Sequence, residues 1–412
     1  MATLLSNIFR QKVANSKDLS MKTEATETTM YPTGYLTVDF LNGYIASEVD
    51  PQTGEKKQYY AIGLADGSIN EYIANMNTGK TTLVCRTAAN IARRFPTSTI
   101  FEDITEAGGL TPERRRSLSG FDENEYRDRY IVRDSGITAE SLYERIVMIH
   151  DEKVSHPEDY LYDTGHTDMY GQPIMKFEPT IYILDSLAEL MPEKYLEDKE
   201  IAGKSMGAAS ALIVANVFRA ILPKLKAANI IMLVINQILE DVNMTAMPKK
   251  AQLPYLKQGE RLPKGKTVGF LASTIWRLDH ASKLKEDETY KFEGSTVDIA
   301  LVKSRTSGRK ASTRLVYDFV SGFDVYLSIL RYLQDNKFIY GAGTALYFEP
   351  EKKYKFSQAN FREQVATNKE FRDAFVAVAV EHLKKEIRVR DVLAKEYYSS
   401  DITANPALQN IL

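Results

Sequence analysis

An α/β fold with a mainly parallel central sheet is predicted for this chain, and three observations point to it. Strand and helix signals alternate from Tyr31 onward, the pattern of a sheet sandwiched between helical layers. Two strand signals, residues 180–184 and 230–235, are almost wholly apolar, as strands covered on both faces must be. Between a further strand and a helix lies the loop Ala74-Asn75-Met76-Asn77-Thr78-Gly79-Lys80-Thr81.

Taken in order, residues 1–30 are polar with a short amphipathic opening (Leu4, Leu5, Ile8, Phe9, Val13). They read as an N-terminal arm, an oligomerisation helix plus linker. The core is expected over residues 31–335. Residues 68–73 read as a strand, 82–92 as a helix and 98–101 as a buried strand. Residues 141–150 read as a helix with Leu142, Ile146 and Ile149 along one face, at helical spacing. The strand 180–184 ends in Asp185, a helix follows over 208–226, and the strand 230–235 ends in Asn236-Gln237. Residues 297–302 and 313–319 read as an antiparallel pair around the turn Thr306-Ser307-Gly308-Arg309. Residues 154–173 read as a polar surface insertion holding His156 and His166, without the paired spacing of a metal site. From 336 to 412 the chain turns Tyr-, Phe- and Lys-rich, with a helix around 369–387, and reads as a separate small α+β domain.

A length of 412 residues with 44% hydrophobic content is enough for a large core in two or three domains. Net charge is −2, so no overall basic field favours nucleic acid and any polyanion must be met by local patches. The one cysteine, Cys85, has no internal partner, which suits a reducing compartment. No run of eighteen apolar residues occurs, and residues 1–10 lack the basic-then-apolar layout of a signal peptide. The expectation is a soluble cytoplasmic protein with no membrane partner.

The loop carries the chemistry. In the pattern G-x-x-x-x-G-K-[ST], successive backbone N–H groups curl around phosphate, the lysine reaches the β- and γ-phosphates, and the Ser/Thr hydroxyl ligates Mg²⁺. Here Ala74 replaces the first glycine, a tolerable change if its φ is negative. Asn75, Asn77, Thr78, Gly79, Lys80, Thr81 and Thr82 are the candidate nucleotide contacts, and the helix dipole behind them favours an anion. Asp185, at a strand end about a hundred residues on, suits the acidic partner that orders Mg²⁺ beside Thr81. Asn236-Gln237 ends the next strand at the edge where open α/β sheets place ligands, and could contact the γ-phosphate.

Several segments resemble RecA-type recombinases in family order: residues 31–39, the loop, 183–190, 204–209 and 234–238. The run Leu301-Val302-Lys303-Ser304-Arg305-Thr306, followed by Ser321-Gly322-Phe323-Asp324, is similar to the bacteriophage UvsX branch. The resemblance covers roughly residues 32–335. It implies a RecA-like P-loop ATPase core and a DNA-dependent ATPase that uses ATP and Mg²⁺; a ring-forming replicative helicase on the same core and a non-hydrolysing DNA-coating filament protein are the alternatives. Such proteins self-associate into helical filaments on single-stranded DNA, pair it with homologous duplex DNA and work beside mediator or single-strand-binding proteins. If the chain is phage-encoded, the compartment is the cytoplasm of a bacterial host.

By position, the resemblance implies that Lys80 and Thr81 hold phosphate and metal, Asp185 supports the metal, and Gln237 couples the γ-phosphate to DNA. Lys303 and Arg305 match cations that reach a neighbouring subunit's ATP, and Phe270 matches a residue that inserts into that neighbour. Arg114 falls where the family stacks a side chain on adenine. For the general base two carboxylates stay open. Strand continuity from Phe101 favours Glu102, whereas the following Thr111-Pro112-Glu113-Arg114 register favours Glu106, which is preferred.

Two disordered-looking segments are the expected DNA-binding loops. The first spans 194–205 and offers Lys199 and Lys204. The second spans 238–266 and offers Lys249, Lys250, Tyr255, Lys257, Arg261, Lys264 and Lys266. Cations track phosphates while an aromatic ring stacks on bases.

Overall fold

The computed structural model describes residues 28–106, 109–168, 171–197, 204–240, 253–264, 266–286 and 291–387. Nine strands form one large sheet: β1 (Ile69–Ala74), β2 (Ile100–Ile104), β3 (Tyr130–Arg133), β4 (Thr180–Asp185), β5 (Ile230–Gln237), β6 (Thr274–Leu284), β7 (Gly294–Ser304), β8 (Ala311–Asp318) and β9 (Gly322–Asp324). Their spatial order is β9-β8-β7-β6-β1-β5-β4-β2-β3. From β6 to β3 every neighbouring pair is parallel. The pairs β6/β7, β7/β8 and β8/β9 are antiparallel. The expected mixed α/β fold with a mainly parallel sheet is therefore present.

Helices cover both faces, as a parallel sheet requires. On one face α2 (Lys80–Ala92) lays Leu83, Val84, Ala88 and Ile91 against Ile181, Ile183, Ile231 and Leu233. On the other, α4 (Ala139–Ser155) and α5 (Lys204–Ala227) bring Leu142, Ile146, Phe218 and Ile221 onto Tyr182, Leu184, Met232 and Val234. Odd and even strand residues thus serve opposite layers, the period-2 rule with both faces apolar. Two shorter helices, α1 (Leu36–Leu41) and α3 (Pro112–Ser119), flank the first layer. Thr111 caps α3, its hydroxyl accepting from the Arg114 N–H at 3.2 Å, with Pro112 at the first helical position.

Element boundaries shift modestly from those read in the sequence. The strand expected at 98–101 lies two residues later, at Ile100–Ile104, and the hairpin turn around Gly308 joins β7 to β8 as expected. The periphery is tied to the body of the chain. The polar segment 154–173 holds part of a surface hairpin that packs on its neighbours. Its strand Leu161–Thr167 pairs with Pro173–Phe177, the Tyr162 hydroxyl meets that of Tyr31 at 2.9 Å, and His166 stacks on Tyr59 and contacts Glu48 at 2.8 Å. The described part of the C-terminal region, residues 336–387, shares its core with the rest of the chain. Phe348, Phe356, Phe361, Phe371 and Phe375 form one aromatic cluster with Phe40 of α1 and with Leu327, Leu330 and Leu333 of α6 (Val325–Asp335). The rings are buried jointly by 336–387 and by apolar residues of α1 and α6. Among the described residues no helix is long and apolar enough to cross a membrane, and no cluster of His, Cys, Asp or Glu is arranged to hold a metal by itself. Residues 1–27 of the expected arm lie outside the described residues.

Candidate functional site

The connections from β1 and β5 leave in different directions: β1 feeds α2 on one face, while β5 leads through residues 238–273 to β6 on the far side of β1. Such a divergence opens a crevice at the carboxyl ends of the strands, where open α/β sheets bind ligands. A cleft of about 820 Å³ occupies that place, lined by Met76 to Thr82, Glu106, Asp185, Gln237, residues 280–283 of β6, Ser295 of β7, Tyr317 of β8 and Phe319 just beyond it.

The loop meets the geometric demands of phosphate binding. Ala74 ends β1, fully buried, and is not among the residues with positive φ, so alanine is unstrained there. The positive φ values fall on Asn77 (60°) and Gly79 (83°). Asparagine tolerates that region. Gly79 does more than tolerate it, since a Cβ there would lie 3.1 Å from the Phe323 ring. Immediately after it α2 begins, and the first N–H groups of a helix have no partner within it. Lys80 is buried, its Nζ donating to the carbonyls of Ala74 at 3.2 Å and Asn75 at 2.8 Å. Burial lowers its pKa, with Asp185 and Glu106 pulling the other way. The Asn75 side chain is exposed and outside the cleft lining, so its contribution is the carbonyl that holds the lysine. Thr82 is buried beside Tyr317, their hydroxyls 3.4 Å apart.

Asp185, from the end of β4, accepts from the Thr81 hydroxyl at 2.8 Å. Burial raises its pKa to about 6 against that hydrogen bond. A hydroxyl and a carboxylate in contact at the head of α2 are the oxygen donors Mg²⁺ takes alongside water and phosphate, so these residues fit the ion.

The two candidate bases separate. Glu102 is mid-strand in β2 and fully buried, its Oε2 taking both Arg115 Nε at 2.9 Å and the Tyr130 hydroxyl at 2.8 Å. It does not line the cleft. Glu106, past the end of β2, does. Its Oε1 accepts from Gln237 Nε2 at 2.6 Å and from the Ser186 hydroxyl. The reason lies in register: Glu102 pairs with Ile183 and Val132 within the sheet, whereas Thr105 N–H bonds the Asp185 carbonyl at 2.7 Å and turns the next residue into the cleft. Ser186 gave no signal in the sequence beyond its place next to Asp185.

Of the pair ending β5, only Gln237 faces the cleft. Asn236 is buried and donates to Glu71 Oε1 at 2.9 Å on the opposite face of the sheet, so the expectation that both polar residues meet phosphate is corrected by strand alternation. Arg114 lies outside the cleft lining, its guanidinium donating to the Val320 carbonyl.

Lys303 and Arg305 are far from this cleft. β7 runs antiparallel to β6, and Lys303 pairs with Ile275 near the start of β6, which itself aligns with Glu71 early in β1. They therefore occupy the amino edge of the parallel strands, opposite the loop. Lys303 Nζ donates to the carbonyls of Gly269 and Phe270 at 2.6 and 2.8 Å, and Arg305 donates to the Phe270 carbonyl. Lys303 is brought down to about 8 by burial and by Arg305 beside it. Phe270 is 62% exposed.

Of the expected DNA-binding residues, Lys199, Lys249 and Lys250 lie outside the described residues, and Lys204 begins α5. The remainder are more ordered than a loop reading implies. Leu256 is buried, and Leu253, Tyr255 and Leu262 pack on the apolar layer that contains Phe218. Glu260 pairs with Arg277 at 2.7 Å, and residues 260–261 ladder with 239–240. Apolar residues at 253, 256 and 262 anchor this stretch. Tyr255 is consequently half-buried, Lys257 pairs with Asp279 at 3.2 Å and Lys264 contacts Met191 Sδ at 3.2 Å. Arg261 and Lys266 are exposed. Compared with models of known protein families and with curated proteins, the chain gives no match.

Proposed function

We propose that the chain is an ATP-dependent strand-exchange protein of RecA type, which hydrolyses ATP with Mg²⁺ between subunits of a filament on single-stranded DNA. The observation that carries this reading is an incomplete site split between two edges of one sheet. Lys80, Thr81, Asp185, Glu106 and Gln237 gather at the carboxyl edge, while Lys303 and Arg305 sit at the opposite edge beside exposed Phe270. Cations that stabilise a phosphoryl-transfer transition state have to touch it. In one subunit these cannot, and a head-to-tail neighbour would bring one edge to the other, the heterologous contact that builds an open helix.

In this scheme the loop N–H groups and Lys80 hold phosphate, and Thr81 with Asp185 would hold Mg²⁺, whose charge would offset that of the phosphates. Glu106 accepts a proton from water. Gln237, bonded to Glu106 and continuous with residues 238–266, links that carboxylate to the segment proposed to meet DNA. The test is ATP turnover with and without single-stranded DNA, read beside negative-stain images of the same sample. DNA-stimulated turnover and helical filaments are expected. Lys80→Ala should abolish turnover with the fold retained. Turnover that survives Lys80→Ala, or closed hexameric rings with unwinding activity, would overturn the proposal.

A further inference from the structure

The two halves of the machinery above lie at opposite edges of the sheet, and a chain of polar side chains runs between them. It starts at Glu106, whose Oε1 accepts from Gln237 Nε2 at 2.6 Å. The Gln237 backbone N–H donates to Asn236 Oδ1 at 3.0 Å, and Asn236 Nδ2 donates to Glu71 Oε1 at 2.9 Å. Glu71, Ile275 and Lys303 then stand side by side on the adjacent strands β1, β6 and β7. Residues paired across strands point to the same face, and so do residues two apart on one strand. Glu71 pairs with Val234, two before Asn236, so Asn236, Glu71 and Lys303 all share one face.

The second Glu71 oxygen, Oε2, has no hydrogen-bond partner although the residue is 1% exposed. Gly269 passes beside it: a Cβ there would lie 3.3 Å from Oε2 and 3.0 Å from the Tyr255 hydroxyl. The carbonyl of the same Gly269 accepts from Lys303 Nζ at 2.6 Å. The free oxygen is thus close to both a phenol and an ammonium group. Burial raises the Glu71 pKa and lowers that of Lys303, and attraction between the two opposes both shifts. A buried carboxylate with one oxygen unpaired costs stability, so packing alone does not account for an acid at this position.

We propose that Glu71 is a positioning residue that couples one ATP site to the next. The inference rests on the reading of the cleft as an ATP site and of Lys303 as the cation offered to the neighbouring subunit's nucleotide. A γ-phosphate that draws Gln237 towards it moves the N–H that Asn236 holds, and Asn236 in turn moves the Glu71 carboxylate. The charge beside Lys303 shifts with it, so a subunit with ATP in its own cleft presents Lys303 differently from an empty one. Side chains bonded end to end across a rigid sheet are a contiguous contact through which two sites can bias each other. Such a bias between sites makes turnover cooperative in ATP.

DNA-stimulated ATP turnover against ATP concentration, in wild type, Glu71→Gln, Lys303→Met and the double variant, tests this. Wild type should show a Hill coefficient above one. Glu71→Gln keeps the shape and the acceptor for Asn236 but removes the charge. It should bring the Hill coefficient to one, with filaments still seen in negative stain and no loss of Tm at pH 7. Lys303→Met should lower turnover at saturating ATP by more than Glu71→Gln does, and should also bring the Hill coefficient to one. Adding Glu71→Gln to Lys303→Met should change neither quantity further, the non-additivity of residues in one network. An unchanged Hill coefficient in Glu71→Gln, or additive effects in the double variant, would overturn the coupling role and leave the ATP site standing. Loss of filaments or a lowered Tm in Glu71→Gln would overturn it too, by marking Glu71 as structural, as would a wild type whose Hill coefficient is one. Failure of wild type to turn over ATP would overturn the ATP site and the inference together.

Discussion

Replacing each of the two candidate carboxylates with glutamine should give opposite phenotypes. Glu102 is 0% exposed and faces Arg115, whose side chain is 5% exposed, across 2.9 Å. Glutamine keeps the shape and can still accept from the Tyr130 hydroxyl, but it leaves the guanidinium buried without its counter-charge. Breaking one side of a buried pair costs about 3–5 kcal/mol. At roughly 2–4 °C per kcal/mol in a large domain, Tm should fall by roughly 6–20 °C. Glu106→Gln removes a carboxylate at an open cleft whose partners, Gln237 and Ser186, remain hydrogen-bonding groups. Its Tm should move little, whereas DNA-stimulated ATP turnover should fall by about 10²–10⁴, the range for a lost general base. Differential scanning fluorimetry and phosphate release on the same preparations measure both. Wild-type turnover in Glu106→Gln, or an unchanged Tm with lost turnover in Glu102→Gln, would refute this assignment of the two carboxylates.

Asp185, raised to about 6 by burial, must be ionised to hold a metal, so Mg²⁺-dependent nucleotide affinity should weaken as pH falls through 6, towards tenfold per unit. The same pH slope in Asp185→Asn would refute that origin. Phe270→Ala should change Tm within about 1–2 °C, because the ring is 62% exposed and surface changes cost within about ±0.5 kcal/mol. It should nevertheless reduce the cooperativity of ATP hydrolysis, and the reverse ranking would mark Phe270 as core. Glu71 is fully buried, its Oε2 unpartnered, and burial raises its pKa against the Asn236 hydrogen bond and nearby Lys303. A raised folded pKa means that the folded chain keeps a proton the unfolded chain releases. Stability therefore falls as pH rises from the ordinary carboxylate value through the raised one. Glu71→Gln should raise Tm at pH 7 and lose that advantage below about pH 4; a lower Tm at pH 7 would contradict this.

Local periodicity determined much from the sequence alone. Continuous apolar runs at 180–184 and 230–235, short and rich in β-branched residues, read as strands covered on both faces, and the loop with its following helix was legible as a Gly-Lys-Thr turn between a strand and a helix. Asp185 and Gln237 were legible for the same reason, as polar residues closing apolar runs. What remained open depended on contacts between distant segments. Glu102 and Glu106 differ by one turn of direction at the end of β2, and only the Thr105–Asp185 backbone bond decides which of them meets the cleft. Asn236 and Gln237 are neighbours whose fates diverge because a strand points successive side chains to opposite faces. The ordering of residues 253–264 and the sharing of the C-terminal aromatic core with α1 and α6 come from apolar partners far away in the chain. Sequence spacing placed Lys303 and Arg305 in a motif, but the antiparallel direction of β7 put them at the edge opposite Lys80. Sequence carries residue type and local period; which edge of a sheet a residue occupies is set by strand order and direction, and those exist only in the folded chain.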